Sequence, residues 1–226
     1  NREQGWAVIL DGMGGLENGR IASLIGLKVI KEGLTGLNNF DERKISDMEK
    51  IVDDANVNLV ETAGGATVVI AKIVESGHEQ RVFVFHIGDT RAYILHEGNL
   101  KRLTNDSAES EDDVAMLDRL DVVNGPDEMT REERVMFGFR NRTKSLGVKQ
   151  KYPLEYSAHK IVSGDKILLT SDGVHDNLTT AEIEEVLKGG GDIAKDLIKK
   201  AKVRSQDEDH WRRKPDDISA IVMEVE

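Results

Sequence analysis

Thr67-Val68-Val69-Ile70-Ala71-Lys72-Ile73-Val74, a turn near Ser76-Gly77, and Arg81-Val82-Phe83-Val84-Phe85-His86-Ile87 decide the architecture of this chain. Both runs are apolar and rich in β-branched or aromatic residues, and the short turn between them predicts an antiparallel hairpin. Onward, Gly88-Asp89-Thr90 leads into a strand over Arg91 to Leu95, and His96-Glu97-Gly98-Asn99 leads into Leu100 to Leu103. Short turns between successive strands favour antiparallel pairing through this series. Strand character returns at Tyr156 to Val162, Lys166 to Thr170 and Ile218 to Val225.

Ahead of the hairpin, Trp6 to Leu10 reads as a buried strand ending in Asp11, and the glycines after it permit a sharp turn. Helices are expected over Glu17 to about Glu32 and over Ser46 to Val60, where Met48, Ile51, Val52, Ala55 and Leu59 recur at three- and four-residue spacing. Thr179-Thr180-Ala181-Glu182 is a capping box that opens a helix to about Leu187. Gly189-Gly190-Gly191 ends it, and Asp192 caps a further helix to about Arg204. Ser205 to Pro215 reads as an exposed, mobile loop. Strands, helices, strands, helices and a last strand make an α+β order with mainly antiparallel sheet.

Thr104 to about Ser145 breaks the rhythm. Its first half is dense in Asp and Glu, and Thr130-Arg131-Glu132-Glu133 has the form of a helix start. Charge of this density suggests a solvated helical excursion. A long insertion is also where lids and binding loops are found.

The 226 residues suffice for one large domain, and no linker or repeat argues for two. With no cysteine, disulfides, zinc-thiolate and iron–sulfur sites are excluded and a reducing cytoplasm is expected. No apolar stretch approaches membrane-spanning length. The balance of 31 basic against 42 acidic residues gives a net charge of −11, which repels nucleic acid and anionic membrane. An anionic substrate therefore needs a cation to reverse the local field.

Four segments place aspartate beside glycine or small polar residues next to an apolar run. They are Asp11-Gly12-Met13-Gly14-Gly15, Gly88-Asp89-Thr90-Arg91, Ser171-Asp172-Gly173-Val174-His175-Asp176 and Asp216-Asp217-Ile218-Ser219. Each alone is an ordinary turn signal. Carboxylates converging from several strand ends repel unless a cation lies between them, and hard ions such as Mg²⁺ and Mn²⁺ take such oxygen ligands. A pair of ions activates water and neutralises phosphoryl oxygens, so no covalent nucleophile is required.

In combination and in this order, these segments resemble the metal-dependent serine/threonine protein phosphatases of the PPM, or type 2C, family, in particular its bacterial branch. Further matches are Gly65-Ala66-Thr67, Ala92-Tyr93, Leu103-Thr104-Asn105-Asp106-Ser107, Thr143-Lys144-Ser145-Leu146-Gly147 and Gly164-Asp165. The resemblance implies a four-layer αββα sandwich of two antiparallel sheets flanked by helix pairs. It implies a single catalytic domain over 1–226, with 104–145 as a flap that contributes to substrate choice. It also implies two Mn²⁺ or Mg²⁺ ions, with Asp11 bridging both, the Gly12 carbonyl on one, and Asp172 and Asp216 completing the other. Asp11, Asp172 and Asp216 then carry catalysis. Asp89 and Asp176, with Asp172, match a third, weaker metal position of several bacterial members. Asp216 matches the Asp of the family's Asp-Asn pair, which leaves Asp217 in the Asn place.

Two departures accompany the match. The family's phosphate-gripping Arg and the acidic ligand after it belong to a segment ahead of Asp11; that segment either lies outside this sequence or is absent from the protein, and Asn1 to Gln4 offers no convincing substitute. Met13 stands where many eukaryotic members have His, as in bacterial members, which leaves protonation of the leaving group to water or another group. The expected partners are phosphoproteins and a cognate serine/threonine kinase, with no nucleic acid or membrane, and the chain is expected to be a cytoplasmic monomer. The alternative is a catalytically weak or silent member of the fold that serves as a regulatory or phosphoprotein-binding module. Lesser expectations are a locally bonded or exposed His175, an Arg91 paired with a site carboxylate, a packing role for Met13, and Trp211 on a partner or over a sheet edge.

Overall fold

The computed structural model describes residues 4–13, 18–37, 40–61, 64–76, 79–107, 111–123, 125–133 and 143–226. Gly14, Gly15, Glu17, Gly77 and the stretch 134–142 of the expected flap lie outside them, as does most of Asn1 to Gln4. The chain forms two compact units, residues 1–90 with 144–161, and residues 91–143 with 162–226.

In the first unit β1 (Trp6–Gly12), β2 (Ala66–Ser76), β3 (Glu79–Ile87) and β6 (Glu155–Ile161) form an antiparallel sheet in the order β1-β2-β3-β6. The hairpin read from the sequence is β2 and β3, paired from Val68 opposite Ile87 to Ser76 opposite Glu79. Strand β1 runs two residues beyond Leu10, so Asp11 and Gly12 are held in the ladder opposite Thr67 and Ala66. Helices α1 (Gly19–Gly36) and α2 (Ile45–Glu61) pack together, and α1 lies against β1. Their buried faces, Ala22, Ile30 and Leu34 with Met48, Val52, Ala55 and Leu59, share a core with Val68, Ile70, Phe83 and Phe85. Phe40 meets the rings of Trp6, Phe83 and Phe85 edge-on at 5.3 to 5.8 Å, a favoured aromatic geometry.

In the second unit β4 (Arg91–His96), β5 (Asn99–Arg102), β7 (Lys166–Thr170) and β8 (Ala220–Glu224) form an antiparallel sheet in the order β5-β4-β7-β8. Strand β4 pairs with β5 and β7 and not with β3, against the expectation drawn from the short Gly88–Thr90 turn. Gly88 takes φ +100°, and a Cβ there would meet Thr67 side-chain carbon at 2.4 Å, so the turn carries the chain out of the first sheet instead of folding it back.

Helix α3 (Glu111–Leu120) follows β5, and α4 (Asp172–His175), α5 (Thr180–Lys188) and α6 (Ile193–Gln206) follow β7. The capping box at Thr179 and Glu182 is formed, and Asp192 caps α6 as expected. Tyr93, Leu95 and Leu168 of the sheet pack with Val174, Leu178, Ile183, Leu187, Leu197 and Ala201. Among the described residues no helix is long and apolar enough to cross a membrane.

The acidic stretch after Thr104 is only partly solvated. Arg91, 2 % exposed, donates to Asp106 (2.8 Å) and Asp121 (2.8 and 2.9 Å), while Arg102 reaches Asp121 and Asp118. Burial alone would lower the Arg91 pKa; the Asp106 and Asp121 carboxylates hold it well above its ordinary value. Arg91 thus pairs with carboxylates that anchor the start of the insertion and not with an expected metal ligand. The Thr130–Glu133 capping box is formed, with Thr130 N–H on Glu133 Oε2 at 2.7 Å and the return bond at 3.1 Å.

Candidate metal centre

Each unit gathers its expected ligands at one end of its own sheet. In the first, Asp11 and Gly12 end β1, and Asp89 follows β3 in the bend just beyond the strand. The neighbouring strand starts at the same edge, and Thr67, opposite Asp11, is buried with its Oγ1 lacking a hydrogen-bond partner. Gly12 is needed for close approach: a Cβ there would lie 2.2 Å from the Gly19 carbonyl oxygen, where α1 begins. Met13 N–H donates to the Gly65 carbonyl at 3.0 Å, which fixes the chain as it leaves β1.

In the second unit the ends of β7 and β8 are stapled by Ser171. Its N–H donates to the Ser219 carbonyl at 3.1 Å, its hydroxyl donates to the Asp217 carbonyl at 3.2 Å, and the Ser219 N–H returns a bond to that hydroxyl at 3.0 Å. The staple brings Asp172 beside the Asp216-Asp217 segment. Gly173 permits the contact, since a Cβ there would stand 2.3 Å from the Asp217 carbonyl oxygen. Asp172 opens α4 and Asp176 follows its last turn, their backbones joined by an N–H···O bond of 2.8 Å.

Lys214 lies among these carboxylates. Its Nζ is 2.7 Å from Asp172 Oδ2, 2.6 Å from Asp176 Oδ2 and 3.7 Å from Asp216 Oδ2. Partial burial pushes the Asp216 carboxyl above its usual range, and the Asp172 charge adds to that rise. Asp172 Oδ1 is buried without a hydrogen-bond partner. Among the described residues no group of three or more His, Asp or Glu side chains is arranged to hold an ion as the chain stands. The clustered carboxylates and the orphaned Asp172 oxygen are the oxygen donors that Mn²⁺ or Mg²⁺ takes, whereas the Lys214 ammonium among them is a competing cation.

Three further residues hold this arrangement, and the motifs single out none of them. Asn177, fully buried, donates from its amide to the Gly173 and Lys214 carbonyls (both 2.9 Å) and accepts from Lys214 N–H at 3.0 Å. Arg212, 1 % exposed, donates to the carbonyls of Leu120 (3.0 Å), His175 (2.9 Å) and Leu178 (3.4 Å). Burial lowers its pKa to about 10 against the pull of Asp121 and Glu182. The stretch 205–215 is therefore not an exposed loop throughout; its Arg212 is a buried bolt. Lys214 itself carried only one sequence signal, a cation two residues before Asp216.

His175 and Trp211 are held by local contacts. His175 is buried, with Nδ1 3.3 Å from Thr170 Oγ1. Trp211 packs on Leu120, Val123 and Met129, stacks on His210 and carries the Arg212 guanidinium over its ring at 5.2 Å.

Comparison with known proteins follows the same lines. A serine/threonine phosphatase of Listeria innocua is 26 % identical over 191 residues, covering 80 % of this chain and 71 % of its own length. A putative protein phosphatase of Mycoplasma genitalium is 25 % identical, covering 74 % and 66 %. The crystal structure of the Staphylococcus aureus serine/threonine phosphatase Stp1 superposes with a TM-score of 0.78 at 21 % identity, covering 98 % of this chain and 84 % of that one. The catalytic domain of the serine/threonine protein phosphatase PstP, crystallised with two manganese ions, gives 0.74 at 21 % identity, covering 98 % and 88 %. The sequence model of the family described as protein phosphatase 2C matches residues 1–189. Because that match spans most of the sequence, the chain belongs to the protein phosphatase 2C family.

Proposed function

We propose that this protein serine/threonine phosphatase hydrolyses phosphoserine and phosphothreonine with Asp11, the Gly12 carbonyl, Asp172 and Asp216 as its Mn²⁺ or Mg²⁺ ligands; Asp89 and Asp176 stand at the positions that the resemblance gives to a weaker third ion. The observation that supports the assignment is the closeness of the Asp172 and Asp216 carboxylates, with Asp172 Oδ1 left unpartnered. Such ions supply activation of water for in-line attack on phosphorus and neutralisation of the phosphoryl oxygens. The chain's own part is positioning. Ser171 fixes the carboxylates of Asp172 and Asp216 relative to each other, while Arg212 and Asn177 hold the segment that carries Asp216. Gly12 and Gly173 leave their peptide groups accessible at short range to neighbouring backbone.

Phosphoprotein substrates follow from the family. A cognate kinase, a monomeric state and a cytoplasmic location belong to this reading, and size-exclusion chromatography with cell fractionation tests the last two. The catalytic assignment is tested with p-nitrophenyl phosphate and a phosphothreonine peptide. Both are expected to be hydrolysed with Mn²⁺ and not after chelation, and Asp172→Asn is expected to lose more than about a hundredfold in kcat/KM. Turnover without metal, or full activity in that variant, defeats the reading; phosphopeptide binding with no turnover replaces it with a silent binding module.

A further inference from the structure

We propose that Lys214 is a resident cation, whose ammonium occupies the position between Asp172 and Asp176 and keeps a divalent ion out of it. The proposal rests on the reading of these aspartates as metal ligands and goes beyond it, because it makes the metal complement of this chain smaller than its carboxylates would allow.

The ammonium is within 2.7 Å of two carboxylates, one of them, Asp176, buried. That is the geometry of a charge-assisted hydrogen bond on each side. The stem of this lysine starts from a fixed backbone. Both peptide groups of Lys214 are taken by the buried Asn177 amide, at 3.0 Å for its N–H and 2.9 Å for its carbonyl. Pro215 follows it, which restricts the Lys214 backbone to extended conformations. Two residues upstream, Arg212 is bolted to three carbonyls of the same unit. The stem is thus delivered from a fixed point, and the charge arrives where Asp172 and Asp176 face each other.

An ammonium and a divalent ion cannot share that position. Two positive charges at about 4 Å repel by several kcal/mol at a protein-like dielectric, and the Oδ2 atoms of Asp172 and Asp176 are both engaged by Nζ. Asp172 Oδ1, by contrast, remains without a partner, so Asp172 keeps one oxygen for an ion while its other oxygen holds the lysine. Asp176 has no such division of labour in the proposal; it serves the lysine.

Equilibrium dialysis against Mn²⁺ with elemental analysis tests this on the whole chain. Lys214→Met is expected to bind one Mn²⁺ per chain more than the parent, and the extra ion is expected to vanish in Lys214→Met combined with Asp176→Asn. In EDTA, Lys214→Met is expected to melt below the parent and to recover on Mn²⁺ addition, because a divalent ion then replaces the missing ammonium. Lys214→Arg is expected to keep the parental count. Asp176→Asn alone is expected to leave the parental count unchanged, a measurement that holds even if Lys214→Met does not fold.

An unchanged count in a folded Lys214→Met, or loss of an ion in Asp176→Asn alone, overturns the proposal while leaving the metal reading standing. Absence of bound Mn²⁺ from both the parent and Lys214→Met overturns the two together.

Discussion

The two ends that carry the aspartates are built by different means. In the first unit Asp11 and Gly12 are part of a paired strand, and backbone hydrogen bonds to β2 set their position. In the second, Asp172, Asp176 and Asp216 lie outside the ladders, on a four-residue helix and a connecting segment that the side chains of Ser171, Asn177, Arg212 and Lys214 hold in place. The backbone ladder is insensitive to side-chain identity but intolerant of an added Cβ where chains cross. The side-chain scaffold depends on side-chain identity as well, and at Gly173 it has no more room for a Cβ than the first end has at Gly12. Its bonds are few, buried and individually costly to remove.

The largest effect is therefore expected from cutting the side-chain scaffold. Arg212→Met removes the donor shared by the Leu120, His175 and Leu178 carbonyls and should destabilise the protein by about 3 kcal/mol in urea unfolding. A loss below about 1 kcal/mol would show that this end does not depend on side chains. Next, Gly12→Ala tests the backbone-built end: the added methyl must displace the first turn of α1 and should cost about 2 kcal/mol. A neutral result would mean that the strand end yields easily, and the contrast between the two ends would fail from the other side.

A smaller effect is expected from Glu182, which closes the capping box of α5 and also pairs with Arg204 of α6 at 2.7 Å. Burial raises its pKa, but hydrogen bonds from Arg204 and the Thr179 backbone outweigh that and leave it below the usual Glu range. A carboxylate with a lowered folded pKa contributes stability above its unfolded value, and that contribution is lost as pH falls through the folded one. Glu182→Gln should thus cost about 1 kcal/mol near neutrality, and the difference from the parent should shrink on acidification. A difference that grows on acidification would reverse the assigned sign. The smallest expected effect is on selectivity. With a net charge of −11, basic phosphopeptides should be preferred over acidic ones by about threefold at low salt, the preference fading as salt screens it. Equal rates at low salt would show that the overall field does not reach the substrate.

The sequence by itself determined the elements whose signals lie within a few residues of one another. The β2–β3 hairpin, the buried face of α2, the Thr179–Glu182 and Thr130–Glu133 capping boxes and the Asp192 cap all rest on contacts within a hairpin, a helical turn or one helix face. The aspartate segments were legible as motifs for the same reason, since each lies within a few residues of one end of a strand. Only the tertiary structure decided that β4 leaves the sheet of β3, that β6 closes the first sheet from far along the chain, and that Arg212 is buried.

It also decided the neighbours of Asp172. The Lys214 ammonium reaches that carboxylate across 42 positions of sequence, through a backbone that Asn177 clamps from 37 positions away. No periodicity or turn rule encodes such a contact. It exists because the hydrophobic faces of α5 and α6 fix where the chain returns, and a buried polar group then takes whatever partner that return path brings within hydrogen-bonding distance.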